Sequence, residues 1–278
     1  MRILLATALA LATVTTSTAW ANPNALWAVE ASATGSGVLN SAYAELFDTA
    51  GNPLSPAFRL GSGFSPGGVA LAGNTLYVSS TTDGTIRTFN TTTRTAGAVI
   101  TTGQPALGSL SADATGLWGN DYGGGNKAFH FTFAGVNDKT VTLANCGSFC
   151  NGIEAFTRGG QSFLIANRGE TEASATYDLY SSTGALVTAA LIANVPNGSG
   201  IAYNGTGFYV ADALDFTLLS YTATGALLST AAFGGPAPDS GFGNSRFVTD
   251  LAFAVPEPMS LALLSVGLGA AGWVRRRV

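Results

Sequence analysis

A repeat of about 45 residues restricts this chain more than any other feature of its sequence. GGVALAGNTLYVSS (67–80) is echoed by SGIAYNGTGFYVAD (199–212), and more loosely by GSLSADATGLWGND (108–121) and NGIEAFTRGGQSFLIAN (151–167). Each copy opens with a small residue and an apolar strand, turns through Asn or Gly, and returns as a second apolar strand. Two more alternating segments follow: TIRTFNTTTR and AGAVITT, KAFHFTFAG and KTVTLA, YDLYSSTG and ALVTAALI, TLLSYTATG and ALLSTAAF. Alternation bounded by Gly, Asn and Thr is the pattern of half-buried strands, and no long amphipathic helix pattern interrupts it. The second strands start at Leu76, Leu117, Phe163 and Phe208. Four strands per repeat at this spacing predict an all-β chain folded as a β-propeller.

The two ends of the body complete one another. ALWAVE (25–30) reads as a second strand with no first strand before it, and YAELFDTAG and PLSPAFRL supply its third and fourth. VTDLAFA (248–254) reads as a first strand with no successor. Pairing these two segments closes a ring of five blades and removes the open sheet edge. A β-sandwich also suits the composition, and a sixth, degenerate blade stays open. The repeats resemble NHL- and YVTN-type propeller repeats, whose strands also end in an apolar residue and Asp or Asn before a Gly-rich turn.

Residues 1–21 read as a secretory signal peptide. Arg2 is a minimal basic region, 3–14 are apolar, and Ala19-Trp20-Ala21 is a small-residue cleavage site. The propeller is expected over 22–254. The tail, 255–278, runs VPEP, then the uncharged MSLALLSVGLGAAGWV, then RRRV. As a helix, 259–274 is only ~24 Å long, short of a hydrocarbon core of about 30 Å, but the arginines can snorkel to the headgroups. Trp273 suits the interface, and the arginines mark the cytoplasmic side. This order resembles the PEP-CTERM sorting signal of exopolysaccharide-producing Gram-negative bacteria. Pro256, Glu257 and Pro258 match the triplet, and Arg275, Arg276 and Arg277 match the basic end. The resemblance implies a membrane-embedded, exosortase-type processing enzyme as a partner. It also implies export across the inner membrane, a membrane-anchored intermediate, and a surface or extracellular destination.

Only 10% of the residues are charged, the formal net charge is -4, and His130 is the single histidine. That balance argues against a nucleic-acid partner and against a His-based metal site. Cys146 and Cys150 are the only cysteines. In an oxidising compartment they are expected to form one local disulfide that shapes a loop.

In a propeller the turns between second and third strands share a face with the turns that enter each first strand. That face would carry Asp121, Asn167, Arg168 and Asp212. Along the first strands one level reads Ala70, Ser111, Glu154, Ala202 and Ala252. Four are small, as a crowded axis requires, and a carboxylate there would be desolvated, with a raised pKa. Glu154, Asp250 and Asp212 are the candidate catalytic acids. Two classes of function fit. The first is a non-catalytic surface or extracellular-matrix protein whose partner is exopolysaccharide or another surface protein. The second is a propeller hydrolase. It could be a glycosidase pairing Glu154 with Asp250 or Asp212, or a lactonase-like enzyme holding Ca2+ through Glu154, Asn167 and Asp212. Singly, each of these acids also suits turn capping.

Overall fold

The computed structural model describes residues 24–33, 39–61, 63, 65–146, 152–168, 174–235 and 246–253. Residues 1–21, expected to be a signal peptide, Cys150 and the tail with its apolar run 259–274 lie outside these residues. Among those described, no helix is long and apolar enough to cross a membrane.

The described residues form five four-stranded antiparallel sheets. The first blade contains β1 (Ala25–Ala33), β2 (Leu39–Asp48) and β3 (Phe58–Gly61). The second runs β4 (Pro66–Ala72), β5 (Thr75–Ser80), β6 (Thr85–Asn90) and β7 (Thr95–Thr101). The third runs β8 (Leu107–Ala112), β9 (Gly116–Asp121), β10 (Lys127–Thr132) and β11 (Asn137–Thr142). The fourth runs β12 (Ile153–Arg158), β13 (Gln161–Asn167), β14 (Ala175–Ser181) and β15 (Leu186–Val195). The fifth runs β16 (Gly198–Tyr203), β17 (Gly207–Asp212), β18 (Thr217–Thr222) and β19 (Leu227–Ala232). β20 (Arg246–Phe253) then returns to the first blade as its inner strand, pairing with β1 from Leu26↔Phe253 to Val29↔Asp250 and, past a bulge, on to Ser32↔Arg246. The five-bladed propeller and its closure by the terminal strands are as the repeat predicts.

Among the described residues there is no single central core. Five buried clusters occupy the five interfaces between blades. Trp27, Phe58 and Phe89 pack between the first and second blades, and Tyr77, Phe129 and Phe131 between the second and third. Phe156, Tyr177, Phe208 and Tyr221 fill the fourth–fifth interface. Phe47, Phe233 and Phe253 fill the fifth–first. The third–fourth interface holds Trp118 and Tyr180 with Val141, Leu143, Ile153 and Leu164.

One turn recurs around the ring. Gly135, Gly184 and Gly225 each have φ near +87°, and their N–H groups close onto Thr132, Ser181 and Thr222. A Cβ there would strike Ile100, Thr142 or Leu191 on the outer strand of the preceding blade. Glycine therefore meets two needs at once, a left-handed backbone and close contact between blades.

Because β20 supplies both the inner strand of the first blade and the ring closure, a chain ending at residue 245 would leave one edge of β1 without its partner strand. Such a chain is expected to lose its cooperative melting transition and become protease-sensitive. Circular dichroism melts and limited trypsin digestion against the full chain would check this.

Candidate functional site

The inner strands β4, β8, β12, β16 and β20 are terminal in their sheets and contact one another around the axis. Their inward N–H groups have no neighbouring strand to bond, and buried donors left unpaired are costly. Two carboxylates meet them. Asp250 on β20 is fully buried, and its Oδ2 accepts the N–H of Val69 at 2.9 Å and of Leu110 at 3.1 Å. Glu154 on β12 is 8% exposed. Its Oε1 accepts the Tyr203 N–H at 3.0 Å, and the Ser111 hydroxyl donates to Oε2 at 2.6 Å. Ser111 Oγ in turn accepts the Ala155 N–H at 2.9 Å. Asp250 thus ties the first blade to the second and third, and Glu154 ties the fourth to the third and fifth. Small residues make room: Ala70, Ser111, Ala202 and Ala252 are all buried at the level of Glu154, and a Cβ on Gly200 would collide with Asp250.

Burial raises the Glu154 carboxyl to about 8. Its bonds to Ser111 and Tyr203 pull it back, and the charge of Asp250 pushes it further up. Burial likewise raises Asp250 to about 7, against the pull of Ser109 beside it and of the Val69, Leu110 and Leu251 N–H groups.

The remaining sequence candidates are not brought into one site. Asp212 Oδ1 caps its own turn, accepting the N–H of Leu214 at 3.2 Å and of Asp215 at 3.0 Å, and Asn197 at 3.2 Å. Asp121 accepts the Gly123 N–H at 2.7 Å. Asn167 donates to the Gly198 carbonyl at 3.2 Å, linking the fourth blade to the fifth. Arg168 forms a two-pronged pair with buried Asp178, both contacts at 2.9 Å. Cys146 is buried in the third–fourth interface. Among the described residues no three His, Cys, Asp or Glu side chains converge as metal ligands. Glu154, Asn167 and Asp212 each have separate hydrogen-bond partners.

A cavity of about 940 Å³ opens on the face opposite the one expected. Its mouth is made by turns after first strands (Asp113–Thr115, Asn204, Gly205), by the turn after β14 (Ser182) and by Asp138 at the start of β11. It is a slot between the third and fourth blades. At the axis it ends on Glu154, Tyr203 and Phe253; Ala155, Thr157, Ser162 and Leu164 line the fourth-blade side, and Phe156 and Phe163, which pack toward the fifth blade, border it. The third-blade wall follows one cross-strand row: Ser111 opposite Trp118, Trp118 opposite His130, His130 opposite Lys139. His130 Nδ1 is 2.6 Å from Asp138, and its Nε2 is 3.4 Å from Asp113. The Trp118 indole N–H donates to Asp113 at 2.9 Å. Lys139 lies over the Trp118 ring at 5.3 Å and donates to the Ser182 carbonyl at 2.7 Å, bridging the outer end of the slot. Burial would raise the Asp113 carboxyl, but Thr115, Trp118 and His130 together bring it below its ordinary value. Sequence reasoning missed this cluster, because a lone histidine signals nothing until strand register places Asp113 and Asp138 beside it.

The raised axial carboxyls have a consequence for stability. The folded chain keeps protons that the unfolded chain loses near 4.5 and 3.8. Stability therefore falls as pH rises, from about 4 through 7 for Asp250 and 8 for Glu154, with a limit of ~1.4 kcal/mol per pH unit for each carboxyl. Thermal melts should show a lower melting temperature at pH 8 than at pH 5.5. Glu154→Gln, which keeps an acceptor for Tyr203, should flatten that slope. Asp250→Ala leaves two buried N–H groups unmet and should cost about 1–3 kcal/mol for each. Asp250→Asn should recover most of that loss in denaturant titrations.

No protein-family model and no curated protein matches this chain. Among solved structures, a chain of the nidogen/laminin complex is similar over 83% of this chain and 99% of its own length, with a TM-score of 0.51 and 10% identity. The computationally designed Ika4 protein matches 63% of this chain and 95% of its own at 14% identity, but its TM-score of 0.37 is too low to bear on the fold. At such identities the first likeness speaks to architecture alone, and it agrees with the blade count and strand order in calling this chain a β-propeller.

Proposed function

We propose that this chain is an exported, surface-displayed or matrix-associated propeller that acts by binding rather than by turnover. The observation that supports this most is the use of Glu154 and Asp250. A glycosidase pair needs one carboxylate free to attack or to activate water and one acid facing the leaving group. Here both accept hydrogen bonds from the inner strands. The signal peptide and the VPEP…RRRV tail supply the route: export, then sorting by an exosortase-type enzyme. The loop disulfide between Cys146 and Cys150 belongs to the same reading, since it needs an oxidising compartment. A propeller also occurs in the nidogen/laminin complex, which shows the architecture at work in a protein assembly. The partner here is exopolysaccharide or another surface protein.

The test is fractionation of an exopolysaccharide-producing Gram-negative host that has an exosortase and expresses the full chain. The wild-type chain should reach the surface or medium and carry host polysaccharide through purification. Replacing Pro256, Glu257 and Pro258 with Ala should leave it in the inner membrane. Equal distribution of the two forms would defeat the sorting reading.

A further inference from the structure

We propose that the slot between the third and fourth blades is a binding site for an uncharged, hydroxyl-rich ligand, a short run of neutral sugar rings. This deepens the binding reading above and rests on it. The cavity, about 940 Å³, is at the upper end of the ~300–1,000 Å³ range of small-molecule sites, which are mostly apolar with a few placed polar groups. Its aromatic groups are Trp118 on the third-blade wall and, at the axial end, Tyr203, which is half-buried where the cavity opens. An aromatic ring has a negative face, which suits the weakly positive C–H face of a sugar ring. Its polar side offers hydroxyls and acceptors: Thr157, Ser162, Asn204, Asp113 and Asp138.

The charges in the slot point away from an ionic ligand. Lys139 is already held by the Ser182 carbonyl and the Trp118 ring, so an anion would find no cation waiting. Asp113 already accepts from Thr115, Gly116 and Trp118, and Asp138 faces His130. Yet the Asp113 and Asp138 side chains are 34% and 46% exposed. They retain lone pairs that hydroxyl groups can use without bringing a new charge. Glu154 closes the axial end, and its burial favours the neutral carboxyl near pH 7, so the floor also presents little charge.

The position follows from packing. This interface carries a polar row, His130 and Lys139 beside Trp118, along its third-blade side. Protein interiors are close-packed, so a slot of this size between two blades marks a place where something else fits.

The test uses the full chain in detergent, titrated with cellohexaose, maltohexaose and chitohexaose as neutral probes. Hexagalacturonate is the anionic control and a chitosan hexamer the cationic one. Binding is read by calorimetry and by quenching of Trp118 fluorescence. At least one neutral hexasaccharide should bind and quench Trp118, with both charged probes weaker. Thr157→Trp and, separately, Ser162→Trp should fill the slot from its exposed edge and weaken binding by about tenfold or more. Asp121→Ala, on the opposite face, should leave it unchanged. Binding by the charged probes alone, or neutral binding unaffected in a folded slot variant, overturns the proposal. Host polysaccharide retained equally by wild type and slot variants would overturn the slot while leaving the binding reading intact. A wild-type chain that retains none would overturn both.

Discussion

The inner strand of each blade has an edge with no strand beside it, and the five edges meet at the axis. Backbone N–H groups there are shut away from solvent by crowding, so they need acceptors from side chains. Asp250 and Glu154 supply them from opposite sides of the ring. A charged carboxylate would be the stronger acceptor but is costly to bury, so burial lifts both groups toward neutrality. The axis is held by a compromise: acceptors strong enough to satisfy the backbone and neutral enough to stay dry.

Outside the axis, stability is distributed. Each interface has its own apolar cluster, and side chains stitch neighbouring blades edge to edge. Ser79 donates to the Gly108 carbonyl, Tyr177 to Ser199 at 2.7 Å, and Ser199 to Val248 at 2.9 Å. The β20–β1 pairing then converts a row of blades into a ring. None of the interfaces depends on a shared centre, so one can differ in packing without dissolving the rest.

That distribution decides what could be read from sequence. The blades were legible because alternation, turn residues and repeat length all act locally. Closure was legible because one terminal segment lacked a first strand and the other lacked a successor. Glu154 could be placed on the axis because the repeats align it with Ala70, Ser111, Ala202 and Ala252. The slot was not legible. It depends on a row that crosses four strands, Ser111–Trp118–His130–Lys139, and on what the facing blade fails to fill. The corresponding rows begin Ala70–Tyr77–Thr88 in the second blade and Ala202–Tyr209–Ser220 in the fifth. The available signal was the exchange of a small hydroxyl residue for histidine at one point in the row. It acquires meaning only once register is known. Asp121 and Asp212 illustrate the reverse: their acids stand out in sequence, yet the turns around them account for their bonds.

The slot also shows why binding is easier to build here than catalysis. Catalysis on a propeller axis needs carboxylates released from structural bonds, and removing Asp250 from the Val69 and Leu110 N–H groups would loosen three blades together. A site between two blades makes no such demand. On its third-blade wall His130 holds Asp138, and Lys139 reaches across to the Ser182 carbonyl of the fourth blade, while Ser111 and Glu154 keep the axial end closed. The walls are therefore fixed before any ligand arrives. A ligand entering such a preformed space gives up less in ordering the protein than one that must gather mobile loops. The polar third-blade row, with Trp118 within it, thereby gives the proposed site walls that hold their own bonds.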